Sequence, residues 1–318
     1  MELNHLDSLP PSLHACLHTE LVEPAIEFLN RSSKGIRRQL VNAGFTWAAK
    51  QKPDPDQLRF CQELGHALEL VHSASLIIDD IQDNSPMRRG RESVHLIIGI
   101  GKAINVANWL YFKALDHVDR LSVSADKRLK LQSIFRTALL DGHAGQALDL
   151  GIPIRKMPKE SVVEVCQASV VLKTGALTSL AFAAGAVIAD LPENEISLAE
   201  DLGEEIGVIL QSLDDLKNLK ADPLAQGKRF EDLHNQRPSL VWLLAAQNEH
   251  PDCWGDLDRA VGALPANNAF DKWLVDYRIL EGAQAWIEER IQNLRQKAEI
   301  PEELNQIINQ LVKAYEKI

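Results

Sequence analysis

The sequence predicts an all-α protein, a single bundle of helices. Three observations carry that reading. Helix-like apolar segments follow one another along the chain, divided by Pro, Gly and Asn breaks. No strand pattern stands out between them. And two of these segments end in an acidic cluster of one spacing, Asp79-Asp80-Ile-Gln-Asp83 and Asp214-Asp215-Leu-Lys-Asn218. No other unit repeats.

Composition narrows the class. Of the 318 residues 45% are hydrophobic and 25% charged, ordinary globular values. The formal net charge of −11 argues against a nucleic-acid surface, which would be basic. An anionic substrate stays open, because local cations can override the global field. Cys16, Cys61, Cys166 and Cys253 form no CxxC pair and read as reduced thiols in a cytoplasmic protein. No basic stretch followed by an apolar one opens the chain, so no signal peptide is expected. No apolar run reaches the roughly 18–20 residues of a membrane span.

Residues 1–11 end in Pro10-Pro11 and read as an N-terminal arm, with 12–318 as one domain. Leu13, Leu17, Leu21 and Ile26 place a helix from Ser12 to about Leu29. His14 and His18 flank Cys16, but no further ligand pair answers them; they read as partly exposed helix histidines, not a zinc site. Ser33-Lys-Gly-Ile-Arg-Arg38 then starts a helix. Lys34 and Arg37 there are ordinarily a solvated turn, yet cations at a helix N-terminus are awkward unless an anion meets them. In Lys52-Pro-Asp-Pro-Asp56, Asp54 or Asp56 caps the next helix. That helix carries Glu69 and His72, runs to about Ile81 and ends in the first cluster. A lone His at such a place is ordinarily a packed core residue.

Asp79 and Asp83 share a helix face, and like charges four apart repel. An acidic cluster usually means a solvated helix end. Against that stand the apolar lead-in Leu76–Ile78, the cations Arg88 and Arg89 within ten residues, and the second cluster on the apolar segment Ile206–Leu213. A hard divalent cation removes the repulsion, and Mg²⁺ takes one or two carboxylates plus substrate phosphate. Two clusters suggest one diphosphate gripped from two sides.

Gly99-Ile-Gly-Lys102 lacks the full phosphate-loop spacing and no strand precedes it. Ala103–Val118 reads helical, with Trp109, Tyr111 and Phe112, the last as an ordinary core residue. Leu129–Leu150 carries His143, Gln146 and Asp149, and 151–158 is a connection. Ser161–Asp190 is a long helix rich in Ala and Gly, buried on most sides. Lys173 inside it is costly unless an anion meets it. After the helix of the second cluster, the polar loop Ala221–Pro238 is long enough to favour function over linkage; it holds Lys228 and Arg237. The remainder divides into helix-like segments at Ser239–Gln247, Asp256–Leu264, Phe270–Ala298 and Glu302–Ile318.

From Lys34 to Arg237 these ordered motifs resemble the trans-isoprenyl diphosphate synthases (polyprenyl synthetases), most of all the eukaryotic-type geranylgeranyl diphosphate synthases. The resemblance implies an isoprenoid-synthase-like bundle around a deep central cavity, a homodimer, and Mg²⁺, three ions with diphosphate bound. It implies a metal set of Asp79, Asp80, Asp83, Asp214, Asp215 and Asn218. Lys34, Arg37, His72 and Arg89 would hold isopentenyl diphosphate. Arg88, Lys173, Lys228 and Arg237 would hold the allylic diphosphate. Lys173, Thr174 and Gln211 are the implied catalytic groups, with Thr174 and Gln211 offering lone pairs to an allylic cation. That cation is attacked by the double bond of isopentenyl diphosphate, and the released diphosphate is the implied base. Water must be kept out.

The chain departs from the family pattern at Ser33 for a glycine, Leu210 for an aromatic, Asn218 for an Asp, and Arg237 for a Lys. Ala74 and Ser75, one turn before Asp79, are small. They leave a first chain-length gate open, with Trp109, Tyr111 and His143 as the floor. The expected product has twenty carbons, with fifteen as the alternative. A terpene cyclase on the same fold is a second reading, disfavoured because it has no need of Lys34, Arg37, His72 and Arg89. A silent modulating subunit is disfavoured by the intact Asp motifs.

Overall fold

The computed structural model describes residues 9–219, 230–264, 268–297 and 300–316. It is 81% helical. The first rod is α1 (Pro11–Leu17), a π turn (His18–Val22) and α2 (Glu23–Leu29), without a break between them. Next come α3 (Ile36–Ala49) and α4 (Pro55–Gln82). Asp54 caps α4: its carboxylate accepts from the backbone N–H groups of Asp56 and Gln57, and the Gln57 side chain answers at the Asp54 N–H. Pro55 follows at the first helical position, where its missing N–H costs nothing.

A two-stranded hairpin, β1 (Met87–Arg88) with β2 (Arg91–Glu92), interrupts the helices. Strands of two residues are too short for alternation to reveal, which is why no strand was expected. Then follow α5 (Val94–Ile98), α6 (Ile100–Asp119), α7 (Ala125–Gly151), a 3₁₀ turn (Ile154–Lys156) and α8 (Lys159–Val170). A π turn (Val171–Gly175) leads into α9 (Ala176–Ile188), and α10 (Glu193–Leu219) carries the second motif. Beyond lie α11 (Glu231–His234), α12 (Leu240–Gln247), α13 (Cys253–Gly262), α14 (Asn268–Asp276), α15 (Ile279–Lys297) and α16 (Glu302–Glu316). The single helix expected over Phe270–Ala298 is therefore two; Arg278, with φ 51°, lies in the turn between them.

The central helix is α9. Its residues Leu180 to Ile188 are all buried, and α3, α4, α7 and α10 pack round it. Such close approach is what its run of Ala and Gly permits. The rod from Lys159 to Ile188 is 30 residues long and holds an 18-residue stretch with a mean hydropathy of 1.6, so by length and composition it could cross a membrane. That corrects the expectation that nothing reaches a span. Of that stretch 61% is buried inside the bundle, which accounts for the same apolar character as core packing. A second correction concerns Phe112, which is no core residue: it is 70% exposed on the outer side of α6.

Candidate active site

The π turn Val171–Gly175 holds Lys173 and Thr174 between the two acidic motifs. π turns inside helices are rare and frequent at functional sites. Two glycines let the neighbouring helices close on it. A Cβ on Gly145 of α7 would stand 2.3 Å from the Lys173 backbone nitrogen. A Cβ on Gly207 of α10 would stand 2.2 Å from the Thr178 hydroxyl and 2.7 Å from Gly175 Cα.

From this turn Lys173 reaches the first motif. Its Nζ lies 2.8 Å from Asp149 Oδ2 and 3.3 Å from Asp79 Oδ1. Burial works against the ammonium, but the charges of Asp79 and Asp149 outweigh it and raise the lysine. The cost foreseen for a cation in this helix is thus met by two carboxylates. Asp79 Oδ1 also accepts from Gln146 Nε2 at 3.0 Å, and Gln146 donates to Gln82 Oε1 at 2.7 Å. Asp83 follows the last turn of α4, where its Oδ1 accepts from Arg237 Nη2 at 2.6 Å. Burial, and then the charge of Asp79, push the Asp83 carboxyl up. Arg237 is also anchored on the Asp149 carbonyl at 2.9 Å.

Asp80 turns the other way. It is 1% exposed, and its Oδ1 accepts from Arg88 Nε at 2.7 Å and Nη2 at 2.5 Å. Arg88 Nη2 stands 3.7 Å from Asp79 Oδ2. Asp80 therefore fixes Arg88 and does not present a metal ligand, a correction to the expected set.

On α10, Asp214 is exposed. Desolvation raises its carboxyl against the pull of Lys34, Lys217 and Arg37. Asp215 is 4% exposed and faces inward, where Oδ1 accepts from Gln211 Nε2 at 2.8 Å and Oδ2 from the Leu240 backbone N–H at 2.9 Å. It too drops out of the expected metal set, because it is buried and turned away from the face that carries Asp214. Adjacent residues on a helix cannot share one face, so each Asp-Asp pair has one outer and one inner carboxylate. Asn218 Nδ2 lies 3.5 Å from Asp232 Oδ2. Gln211 Oε1 accepts from the Thr174 hydroxyl at 2.8 Å, which ties the second motif to the π turn.

A cationic cluster lies beside the motifs. Arg37 has a buried Nε with no partner, and burial lowers its guanidinium to about 10. Burial first, then Arg37, Arg89 and Arg88, hold His72 well below its usual value, so the imidazole stays neutral. Arg89 sits at φ 53° after β1, its guanidinium 5.3 Å from the Phe28 ring centre, with Arg31 on the same ring at 5.1 Å. Buried Glu69 is the countercharge felt by Arg37 and Arg89. Several arginines round a neutral histidine, one with an orphaned N–H, make a place for an anion. Lys34 is exposed at the entry to α3. Lys228 lies outside the described residues.

Along α6 and α7, Tyr111 and His143 meet with ring centres 5.5 Å apart. Burial, and then the charge of Asp79, push the Tyr111 hydroxyl up to about 12. Trp109 is two residues away and so on a different face of α6. Ser75 is half-buried and donates to the His72 carbonyl at 2.8 Å. Ala74 is fully buried in the helix packing, so only Ser75 of that pair is available as a gate. A separate cavity of about 260 Å³ opens on the far face of α10, between α8, α12 and α15.

The sequence reading noted Gln146 and Asp149 but gave them no role, and it missed Arg31. Their signal was faint: Gln146 and Asp149 are three apart on α7 beside Gly145, where a helix face turns towards a close neighbour. Asp79, Asp83 and Asp214 remain as carboxylates for a metal. Few hard oxygens, with Asp83 raised by burial and then by its neighbour's charge, fit Mg²⁺.

Comparison with known proteins gives the family. Residues 18–275 match the family model described as Polyprenyl synthetase. A geranylgeranyl pyrophosphate synthase of Aspergillus flavus, atmG, is 30% identical over 280 residues, 87% of this chain and 76% of that protein. One from Dictyostelium discoideum is 29% identical over 87% of this chain and 86% of its own. Another, janG of Penicillium janthinellum, is 38% identical over 215 residues; there the match spans 53% of the Penicillium protein. The crystal structure of geranylgeranyl pyrophosphate synthetase from Pyrococcus horikoshii Ot3 has the same fold, with a TM-score of 0.80 at 24% identity over 92% of this chain and 90% of that one. Since the family match runs through both acidic motifs and the π turn between them, the chain belongs to the polyprenyl synthetase family.

Proposed function

We propose that this chain is a short-chain prenyltransferase condensing isopentenyl diphosphate with an allylic diphosphate, chiefly farnesyl, to give geranylgeranyl diphosphate. The observation that carries it is the presence of two anion sites side by side. One is the pair of acidic motifs bridged by Lys173 and Thr174. The other is the cluster of Arg37, His72 and Arg89, with the orphaned Arg37 Nε. A reaction that joins two diphosphates needs both. The names of the Aspergillus and Dictyostelium relatives support the twenty-carbon product.

Asp79, Asp83 and Asp214 would hold Mg²⁺, three ions in all, which supplies the charge neutralisation that makes diphosphate a leaving group. Lys173, Arg237, Arg88 and Lys228 donate to the same diphosphate. As the C–O bond breaks, the Thr174 hydroxyl oxygen and the Gln211 amide oxygen offer lone pairs to the allylic cation. Arg37, Arg89, Lys34 and neutral His72 hold isopentenyl diphosphate with its double bond at the cation. The departing diphosphate then takes the proton, so no side chain need act as base.

A homodimer belongs to the same proposal. Ile100, Ile104 and Phe112 fall on one stripe of α6 and are exposed, with Leu96 and Ile97 before them on α5. A row of large apolar side chains of this kind suits a partner surface. The four free cysteines suit a cytoplasmic location.

The test is an incubation of purified protein with Mg²⁺, labelled isopentenyl diphosphate and each allylic starter in turn, with products sorted by chain length. A twenty-carbon diphosphate is expected, and none in EDTA. Hydrocarbon products formed without isopentenyl diphosphate would favour the cyclase reading instead.

A further inference from the structure

We infer that Asp215 is a positioning residue, which sets the direction of the Gln211 amide towards the reacting cation and binds no metal. The inference rests on the proposed role of Gln211 and Thr174 at that cation. Its basis is a relay of three hydrogen bonds. The Thr174 hydroxyl donates to Gln211 Oε1 at 2.8 Å, Gln211 Nε2 donates to Asp215 Oδ1 at 2.8 Å, and the Leu240 N–H donates to Asp215 Oδ2 at 2.9 Å.

The Gln211 amide and the Leu240 N–H both donate to Asp215, which fits its ionised, acceptor-only form although burial, and then the charge of Asp232, push the carboxyl up to about 7; the group facing Oδ1 is therefore a donor. That requirement decides which end of the Gln211 amide points inward. The NH₂ end goes to Asp215, and the oxygen end stays with Thr174 and the π turn. Without the carboxylate the amide could turn over and set N–H groups, which repel a cation, where the oxygen now is. Leu240 N–H is the first donor of α12, after Ser239, whose own side chain caps nothing. Asp215 therefore also stands in for the missing cap, and its position is fixed from a second helix. Buried, with both oxygens held by the protein, it turns away from the face that carries Asp214.

Asp215→Asn tests this. An amide has one acceptor where two donors converge, so it must either lose the Leu240 N–H or turn Gln211 round. The exchange Gln211→Glu with Asp215→Asn restores every bond: the new amide donates to the new carboxylate and accepts from Leu240 N–H, and the Thr174 hydroxyl keeps its acceptor. Two readouts separate the roles. The first is the rise in melting temperature on adding Mg²⁺ with inorganic diphosphate. The second is the fraction of allylic diphosphate that is hydrolysed instead of elongated.

Asp215→Asn is expected to keep the Mg²⁺-diphosphate stabilisation, to lose about tenfold or more in turnover as for removal of one transition-state group, and to raise the hydrolysed fraction. The double exchange is expected to recover most of the turnover. Asp214→Asn should instead abolish the stabilisation; if it does not, the metal assignment fails separately. If Asp215→Asn abolishes the Mg²⁺-diphosphate stabilisation, Asp215 is a ligand and the inference is overturned. If the double exchange folds as the wild type does but recovers nothing, the relay does not set the amide, and the inference is equally overturned.

Discussion

Asp149 holds two of the cations that line the first acidic motif: its carboxylate lies 2.8 Å from Lys173 Nζ, and its carbonyl accepts from Arg237 Nη1 at 2.9 Å. It thereby sets where two groups proposed to meet the diphosphate stand before substrate arrives. Asp149→Ala should cost about 2 kcal/mol of stability, the scale of a lost hydrogen bond to a charged group. Turnover should fall about 10- to 100-fold, because misplacing a reacting partner by an ångström has that effect. Urea melts and steady-state rates check both. Unchanged turnover would mean that Asp79 alone suffices to place Lys173.

Gly145 permits the contact between α7 and the π turn. With a Cβ at 2.3 Å from Lys173 N and 2.6 Å from the Leu172 carbonyl carbon, Gly145→Ala must push backbone against backbone. A loss of about 1–3 kcal/mol follows from overpacking. Because the turn itself moves, turnover should fall by more than the loss of folded protein explains. Thermal melts beside activity per folded molecule decide this. An alanine variant as active and as stable as wild type would show that the turn is not clamped there.

The two anion sites should separate kinetically. Arg37→Ala should raise KM for isopentenyl diphosphate by about 10- to 100-fold, the worth of a charge-assisted hydrogen bond, with a smaller effect on the allylic KM. Lys228→Ala should do the reverse. Both KM values measured on each variant are the check, and equal effects on both substrates would merge the two sites into one.

His72 makes folding sensitive to mild acid. Burial and three arginines depress its folded-state value well below the ordinary one, so the unfolded chain takes up the proton first. By linkage, stability rises with pH wherever the unfolded state binds more protons. The His72 contribution is therefore fully present above about 6.5, the ordinary histidine value, and declines as pH falls below it. His72→Gln should lessen the drop in melting temperature between pH 7.5 and 5.5. An identical drop in the variant would place the acid sensitivity elsewhere.

How much of this was legible beforehand divides along physical lines. Helices announce themselves by periodicity, and α4, α6, α7, α9 and α10 all fall close to where apolar spacing put them. The π turn could not be foreseen, since one extra residue in a helical turn leaves Lys173-Thr174-Gly175 looking like any helix interior. The Asp pairs were visible as pairs, but residue types do not say which member faces in. That depended on Arg88 from the hairpin and Leu240 from α12, both distant in sequence. Phe112 misled because an aromatic on an apolar helix is ordinarily core; the outward stripe it shares with Ile100 and Ile104 has the same period as a buried one.

In the function proposed above, product length should turn on a single aromatic contact. On that proposal the growing chain would leave Asp79 and pass along α4, where one helical turn, about 5.4 Å, matches roughly one isoprene unit. Ser75 stands one turn away and is small, so fifteen carbons meet no wall there. Ser75→Phe should stop growth at farnesyl. Below it, Tyr111 lies close enough to Asp79 to feel its charge, and its ring rests on His143 at 5.5 Å. The His143 Nδ1 is held on the Leu139 carbonyl at 2.7 Å, which keeps the imidazole from swinging aside. This pair, one ring from α6 and one from α7, is the proposed floor. Trp109 cannot share it: two residues along a helix is a turn of roughly 200°, which points that indole to another side of α6. Phe112, exposed on the outside, cannot either. Tyr111→Ala should therefore give products beyond twenty carbons, and His143→Ala should do the same more weakly, since it removes the backing and leaves the ring. Trp109→Ala should leave length unchanged. Chromatography of the dephosphorylated products reads all four variants; longer chains from Trp109→Ala with none from Tyr111→Ala would move the floor to the other face of α6.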